Sequence, residues 1–387
     1  MVQVEVGFDG SCPHDPAGVQ ELAPGIFRIL PSWRPEPGLG EECLGRTTRL
    51  GFRAVNDSDA PTLAAFLIDW QYNDAPSDAP NTFASLHHYM QLRDFCVVRG
   101  PGSDQWRYLP LKVEGSVGRL ELDLLPGVTE IHWHPPYSYA QGEEFASAQR
   151  GKPTVHAEVV GHSQEGRNIW LLRISDGNGA KGHRYFIRAR AHGYESGGSY
   201  MVEGAVRFLT GESPWAAMAR RDCEFFVLPM ANPDGVHNGL SQLTAPRGSN
   251  LYLVSDERND GAHAASLAAA KRAQPHWFID FHNWQSKHSD GLLGLPPEQQ
   301  ERFLYYMDPI APAGKTWIRR GPRPWPEGRT PESLSRFCQR EYGTRQVAVE
   351  LSWFGRSPEE ARQFGERAMW AFLMMEYEKL PPTERQS

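Results

Sequence analysis

From residue 1 to about residue 130 the apolar positions fall in short runs, RTTRLGFRAV, TLAAFLIDW, FCVVRG, QWRYLPL, RLELDLL and VTEIHWH, separated by clusters of Pro, Gly, Asn and Asp. Short apolar runs with turn residues between them are the pattern of extended strands, and a succession of them predicts an all-β sandwich. From about residue 135 the texture changes. Apolar runs such as KGHRYFIRARAH and CEFFVLPM now alternate with helical stretches such as SYMVEGAVRFL and AASLAAAKRA, which predicts an α/β domain. The Pro-Pro pair in HPPYSYAQGEE marks the boundary, giving an N-terminal domain over 1–134 and a second over 135–387. The last helix is the clearest element. Ser357 and Glu360 have capping-box spacing, Pro358 suits a first helical turn, and Phe364, Ala368, Ala371, Phe372 and Met375 share a face expected to cover one side of the sheet. The Pro-rich stretch 321–332 reads as a surface loop.

At 387 residues and 40% hydrophobic content the chain is long enough for a full-sized core. With 47 acidic against 40 basic residues and no concentrated basic run, nucleic acid is excluded as an expected partner. The start, MVQVEVGFDG, has neither the positive nor the apolar region of a secretory signal, and no run approaches the roughly 20 apolar residues that span a bilayer. A cytoplasmic protein without a membrane partner is expected. Five cysteines, Cys12, Cys43, Cys96, Cys223 and Cys338, are scattered and odd in number, which points to reduced, mostly buried thiols.

The chemistry concentrates where apolar runs end. In RARAHGYESGGSYMVEG a buried strand is expected to end at His192, with a helix starting after Gly197-Gly198. His192 and Glu195, three apart on a turn leaving a strand, can face one point and bind a borderline cation. The run HWFIDFH also ends in a histidine, His282. Two histidines and one glutamate leave a fourth position open for water, which is the pattern of catalytic rather than structural zinc. A base is then needed, and Glu350, a lone carboxylate in the apolar run QVAVELSWFG, is the candidate. Each residue has a plainer reading beside this one. A strand-end histidine is commonly a hydrogen-bonded structural residue, Glu195 favours a helix N-terminus, and Glu350 can pair with Arg345. His132 and His134 are explained as alternate residues of an edge strand, and His288 as a loop side chain.

These segments resemble, in order and spacing, the M14-type zinc carboxypeptidases, especially their cytosolic carboxypeptidase-like subfamily. HGYESGGSYMVEGAVRFLTG is similar to the subfamily's HPGExPGSxxxEGxxxFL, with His192 and Glu195 at ligand positions and Gly193 in place of proline. PMANPDGVHNG resembles PMxNPDGVxxG, FIDFHNWQ resembles IDxHGHS, and VAVELSWFG resembles TLExSFYG, while PPYSY fits the PYTY that closes the subfamily's N-terminal sandwich. The resemblance implies a mixed central sheet with helices on both faces after the sandwich. It also implies one zinc per chain on His192, Glu195 and His282, with Glu350 as general base.

The sequence departs from the family where NPDGVxxGNxR is followed by GxDLNR, whose Asn-Arg pair resembles a clamp for a terminal carboxylate. Aligned on Gly248, Asn250 replaces the Asp and Tyr252 and Leu253 replace the clamp; aligned on Asn250, Leu251 replaces the Arg. Neither Leu nor Tyr copies the bidentate pair of a guanidinium with a carboxylate. At the spacing of the family's oxyanion arginine the sequence has Gln242, with Arg247 five residues later. Arg247 is the candidate for that role, its plainer reading being an exposed loop arginine, and Gln242, Asn250 and Tyr252 are candidate substrate contacts. The expected function is zinc-dependent hydrolysis of an amide bond in a modified peptide or acylated small molecule. The alternatives are a true carboxypeptidase acting on peptides or protein tails and a zinc-containing binding protein without turnover. Trp284, Gln285, Trp353 and Phe354 flank the ligands and base as candidate pocket residues.

Overall fold

The computed structural model describes residues 1–31, 33–34, 37–38, 49–70, 94–177, 182–254, 261–284, 287–307, 316–322 and 332–377. Cys43, Gln285 and most of the Pro-rich stretch 321–332 lie outside them. The chain divides into two compact units, one formed by Met1–Tyr139 with His192–Ser196 and Asp234–Ser249, the other by Ala140–Ala191, Gly197–Pro233 and Asn250–Ser387.

The first unit holds strands β1 (Val2–Glu5), β2 (Val19–Ala23), β3 (Ile26–Ile29), β4 (Gly51–Asn56), β5 (Thr62–Asp69), β6 (Phe95–Arg99), β7 (Arg107–Pro110), β8 (Lys112–Glu114), β9 (Val117–Leu124) and β10 (Gly127–His132). They form two five-stranded sheets, in the orders β1-β4-β10-β6-β7 and β2-β3-β5-β9-β8. Strand β9 shows why the alternating runs become sheet: Leu120 and Leu124 are buried while Arg119, Glu121 and Asp123 are exposed. The two sheets meet through Phe52 of β4 and Phe66 of β5, whose ring centroids are 5.2 Å apart.

The second unit is built on one eight-stranded sheet from β11 (Val155–His162), β12 (Asn168–Ile174), β13 (Arg184–Ala189), β14 (Glu224–Leu228), β15 (Trp277–Trp284), β16 (Ser289–Leu293), β17 (Thr316–Arg320) and β18 (Arg345–Ser352). Its order is β11-β12-β14-β13-β15-β18-β16-β17. The central pairs β14/β13, β13/β15 and β15/β18 are parallel, and β11/β12, β12/β14 and β16/β18 are antiparallel, so the sheet is mixed as expected.

The helices in chain order are α1 (Tyr139–Ala148), α2 (Ser196–Leu209), α3 (Pro214–Asp222), α4 (Pro233–His237), α5 (Gly261–Ala273), α6 (Pro297–Met307), α7 (Leu334–Tyr342) and α8 (Pro358–Tyr377). Consecutive residues of β15 point to opposite faces, and both faces are covered. Phe278 stacks on Phe186 and lies in one buried cluster with Ala262, Ala265 and Ala269 of α5 and Leu334 and Cys338 of α7. Trp277 meets Phe372 of α8 with ring centroids 6.4 Å apart. Helix α8 starts as its sequence dictates: Glu360 N donates to Ser357 Oγ (3.2 Å) and Ser357 N to Glu360 Oε2 (2.7 Å). Phe364, Ala368, Ala371, Phe372 and Met375 are buried.

Three boundaries differ from the sequence reading. Strand β13 ends at Ala189, three residues before His192, because the backbone turns at Arg190 into the left-handed region (φ 56°). Helix α2 starts at Ser196 and contains Gly197 and Gly198 in its first turn. Added Cβ atoms there would come 2.9 Å from Asn283 Oδ1 and Phe281 O, so the glycines serve the close approach of α2 to β15. Strand β15 continues past His282 to Trp284 because Asn283 and Trp284 still pair with Leu351 and Ser352 of β18.

Among the described residues no helix is long and apolar enough to cross a membrane. Cys12, Cys96, Cys223 and Cys338 are buried free thiols, and burial pushes Cys96, Cys223 and Cys338 up to about 12.

Candidate metal centre

The turn after β13 carries His192 and Glu195, and β15 carries His282. Their donor atoms lie within 4.8 Å of one another, the clustering that a shared cation requires. His192 Nδ1 is 2.8 Å from Glu195 Oε1, with Glu195 buried and His192 partly so. The turn is fixed locally. Tyr194 N donates to Ser241 O (3.0 Å), and Ser196 Oγ, just past Glu195, contacts His134 Nδ1 (2.9 Å) and donates to Pro135 O (2.7 Å). Gly197 N then donates to Asn283 Oδ1 (2.8 Å), tying the start of α2 to the strand that bears His282.

His282 is oriented by a carboxylate that the sequence reading passed over. Its Nε2 is 3.0 Å from Asp280 Oδ2, a contact that orients the ring. Asp280 stands two residues before His282 on the same face of β15, and in register with Arg188 of β13. Arg188 Nε donates to Asp280 Oδ1 (3.0 Å) and its Nη1 to Leu251 O (3.0 Å), with the arginine side chain fully buried. Burial disfavours charge on Asp280, but the Arg188 guanidinium and then His282 outweigh it and hold the carboxyl well below the usual carboxylate range. The carboxylate is therefore ionised and able to fix the imidazole tautomer. Its signal was the Asp-x-His spacing of a strand, strengthened by the buried arginine in RARAH.

Glu350 of β18 is in register with His282 of β15, so the two side chains leave the same face of adjacent strands. Arg345, the pairing partner considered for Glu350, pairs instead with Glu376 at 3.2 Å. On its other side Glu350 faces Gly291 of β16, where an added Cβ would come 2.8 Å from Glu350 Cβ and 3.0 Å from the Trp284 ring. Two histidine nitrogens and one carboxylate oxygen form the donor set of a hydrolytic zinc site, and the clustered, hydrogen-bonded arrangement here fits that ion.

The remaining candidates occupy varied positions. Arg247 is exposed, Gln242 is half-buried, and Asn250 Oδ1 accepts from Tyr252 N (2.9 Å) in a local turn. Tyr252 is half-buried, and its carbonyl accepts from Leu334 N of α7 (3.0 Å). Trp353 is buried, Trp284 donates through Nε1 to Ser289 O (2.7 Å), and Phe354 is stacked by Lys287 Nζ at 5.3 Å from its ring centroid. His132 and His134 are both buried, and His132 is edge-on to Trp106.

A sequence profile of the family described as "Zinc carboxypeptidase" matches residues 145–251, the span that contains His192 and Glu195. Human cytosolic carboxypeptidase 6 is 31% identical over 110 residues, covering 27% of this chain and 22% of the human protein. An uncharacterized protein of Zymomonas mobilis is 30% identical over 218 residues, covering 49% of this chain and 54% of that one. The matched segments thus span about half or less of these relatives' length. Among solved structures, a metallo-carboxypeptidase from Burkholderia cenocepacia superposes with a TM-score of 0.75 at 18% identity, covering 97% of this chain and 99% of that one. A metallo-carboxypeptidase from Pseudomonas aeruginosa superposes with a TM-score of 0.74 at 17% identity, covering 96% and 98%. Identities this low establish the fold alone; over residues 145–251 the chain is similar to the zinc carboxypeptidase family, and cytosolic carboxypeptidases are among the relatives its sequence matches.

Proposed function

We propose that this protein is a zinc-dependent hydrolase of peptide-like amide bonds, acting in the cytoplasm on a modified peptide or acylated small molecule. The observation that carries the reading is the clustering of His192, Glu195 and His282 with Glu350 in register beside His282. When bound, one zinc per chain supplies Lewis acidity toward a scissile carbonyl and toward water. The chain's own residues do the rest. His192, Glu195 and His282 hold the ion, and Asp280 orients the His282 ring. Glu350 accepts a proton from the attacking water and returns it to the leaving nitrogen, converting a poor amide leaving group into a neutral amine. Arg247 or Gln242 steadies the developing oxyanion, and Asn250 and Tyr252 contact substrate.

The lost clamp motivates a substrate whose terminal carboxylate is not the recognised feature. The side chain of Asn250 is engaged by the Tyr252 amide, and Arg188, whose Nη1 meets the Leu251 carbonyl, is committed to Asp280, which supports that reading. The test is hydrolysis of matched acyl-amino-acid substrates with the terminal carboxylate free or amidated, beside a Glu350→Gln control. Cleavage indifferent to amidation and abolished in the control is expected. Cleavage that requires the free carboxylate would instead make the protein a true carboxypeptidase, the activity that the names of its cytosolic relatives carry.

A further inference from the structure

Arg49 is a buried arginine just before β4, and none of the proposed chemistry uses it. Its Nη1 donates to Gly193 O (3.3 Å), the carbonyl between His192 and Glu195, and also to Gly235 O (3.1 Å), Val236 O (3.1 Å) and Leu240 O (3.2 Å). Its Nη2 donates to Gly10 O (3.0 Å). The guanidinium therefore joins the C-terminal carbonyls of α4 to the turn that bears two of the proposed ligands. That turn is seated on the same backbone, since a Cβ at Gly193 would come 2.7 Å from Gly235 O and from Leu240 O. The far end of the turn is held from the same unit, where Ser196 Oγ meets His134 Nδ1 and Pro135 O. Arg49 is itself anchored next to Leu50, whose carbonyl accepts from Trp133 N (3.2 Å).

We infer that Arg49 is a positioning residue for the metal centre: its guanidinium fixes the Gly193 carbonyl and so the directions of the His192 and Glu195 side chains. Arg49 and the His192–Ser196 turn belong to the same compact unit. The carbonyls are shared between two nitrogens, four at Nη1 and Gly10 O at Nη2, a fork that lysine, with its donors on one nitrogen, does not reproduce. The inference rests on the reading of His192, Glu195 and His282 as zinc ligands, and the experiment separates the two.

Zinc affinity is measured by chelator competition for the full chain, for His192→Ala, and for Arg49→Ala and Arg49→Lys, with circular dichroism of the metal-free proteins as the check on folding. Wild-type binding of one zinc, lost in His192→Ala, is the expected result for the ligand reading. Both Arg49 variants are then expected to bind zinc roughly 10–100-fold more weakly, the range for groups that orient ligands. Millimolar methylguanidinium is expected to restore affinity to Arg49→Ala and to leave His192→Ala unchanged. A folded Arg49 variant with wild-type zinc affinity overturns the inference while leaving the ligand reading intact. Failure of both variants to fold overturns it too, by making Arg49 a general stabilising residue, and absence of zinc binding in the wild type overturns both.

Discussion

Removing Asp280 should damage the protein in two separable ways. Arg188 and Asp280 form an ion pair with side-chain exposures of 0% and 6%, so Asp280→Ala leaves a guanidinium buried without its main counter-charge. Breaking a buried pair from one side costs about 3–5 kcal/mol. At about 2–4 °C per kcal/mol for a domain of this size, that is a fall in Tm of roughly 6–20 °C. The double variant Arg188→Met with Asp280→Leu leaves no buried charge, and its remaining cost is about 1–3 kcal/mol, from the Leu251 carbonyl that loses its donor. Zinc affinity follows a different rule. Both variants remove the Asp280 carboxylate that orients His282, so both are expected to bind zinc about 10–100-fold more weakly. The assay is thermal unfolding of the metal-free proteins beside zinc competition. The reasoning is refuted if Asp280→Ala melts with the wild type, or if the double variant regains wild-type zinc affinity along with its stability.

Gly291→Ala places a Cβ 2.8 Å from that of Glu350, and because Glu350 Cβ is fixed to its strand the base must shift. A kcat lower by about 10–100-fold with zinc stoichiometry unchanged is expected, and an unaltered kcat would show that this contact does not set the base. His132 is pushed down to about 3 by burial first and then by Arg49, Arg53 and Arg99. The unfolded chain takes up this proton below about pH 6.5 whereas the folded chain does not, so the stability is fully present above that pH. Acid titration of stability should show about 1.4 kcal/mol lost per pH unit from this group between roughly 6.5 and 3, a slope that His132→Asn removes. An unchanged slope in the variant would count against the buried neutral histidine.

The parts legible in the sequence were those set by local pattern. Ser357, Pro358 and Glu360 announce α8 without reference to anything distant, and the apolar runs of β5, β6 and β9 carry their own strand signal. What the sequence did not disclose depends on partners far along the chain. Strands β2 and β8 have few or no buried positions, so no alternation marks them, and they exist because β3 and β9 pair with them. The extension of β15 through Trp284 likewise comes from β18. His192, Glu195, His282 and Glu350 stood out as chemistry-bearing residues beside or within apolar runs. Asp280 lay in one of those runs without drawing notice, since its meaning comes from Arg188, 92 residues away. The Gly197-Gly198 pair read as punctuation before a helix because the closeness of α2 to β15 is a tertiary fact.

One ion shared by three side chains is the centre of the proposed chemistry, and the direct measurement is an anomalous difference map from crystals of the zinc-loaded protein, recorded on both sides of the zinc absorption edge. One peak per chain is expected, about 2.0–2.2 Å from a ring nitrogen of His192, a carboxylate oxygen of Glu195 and a ring nitrogen of His282. No peak at these residues, or a peak held by other side chains, would contradict the shared site.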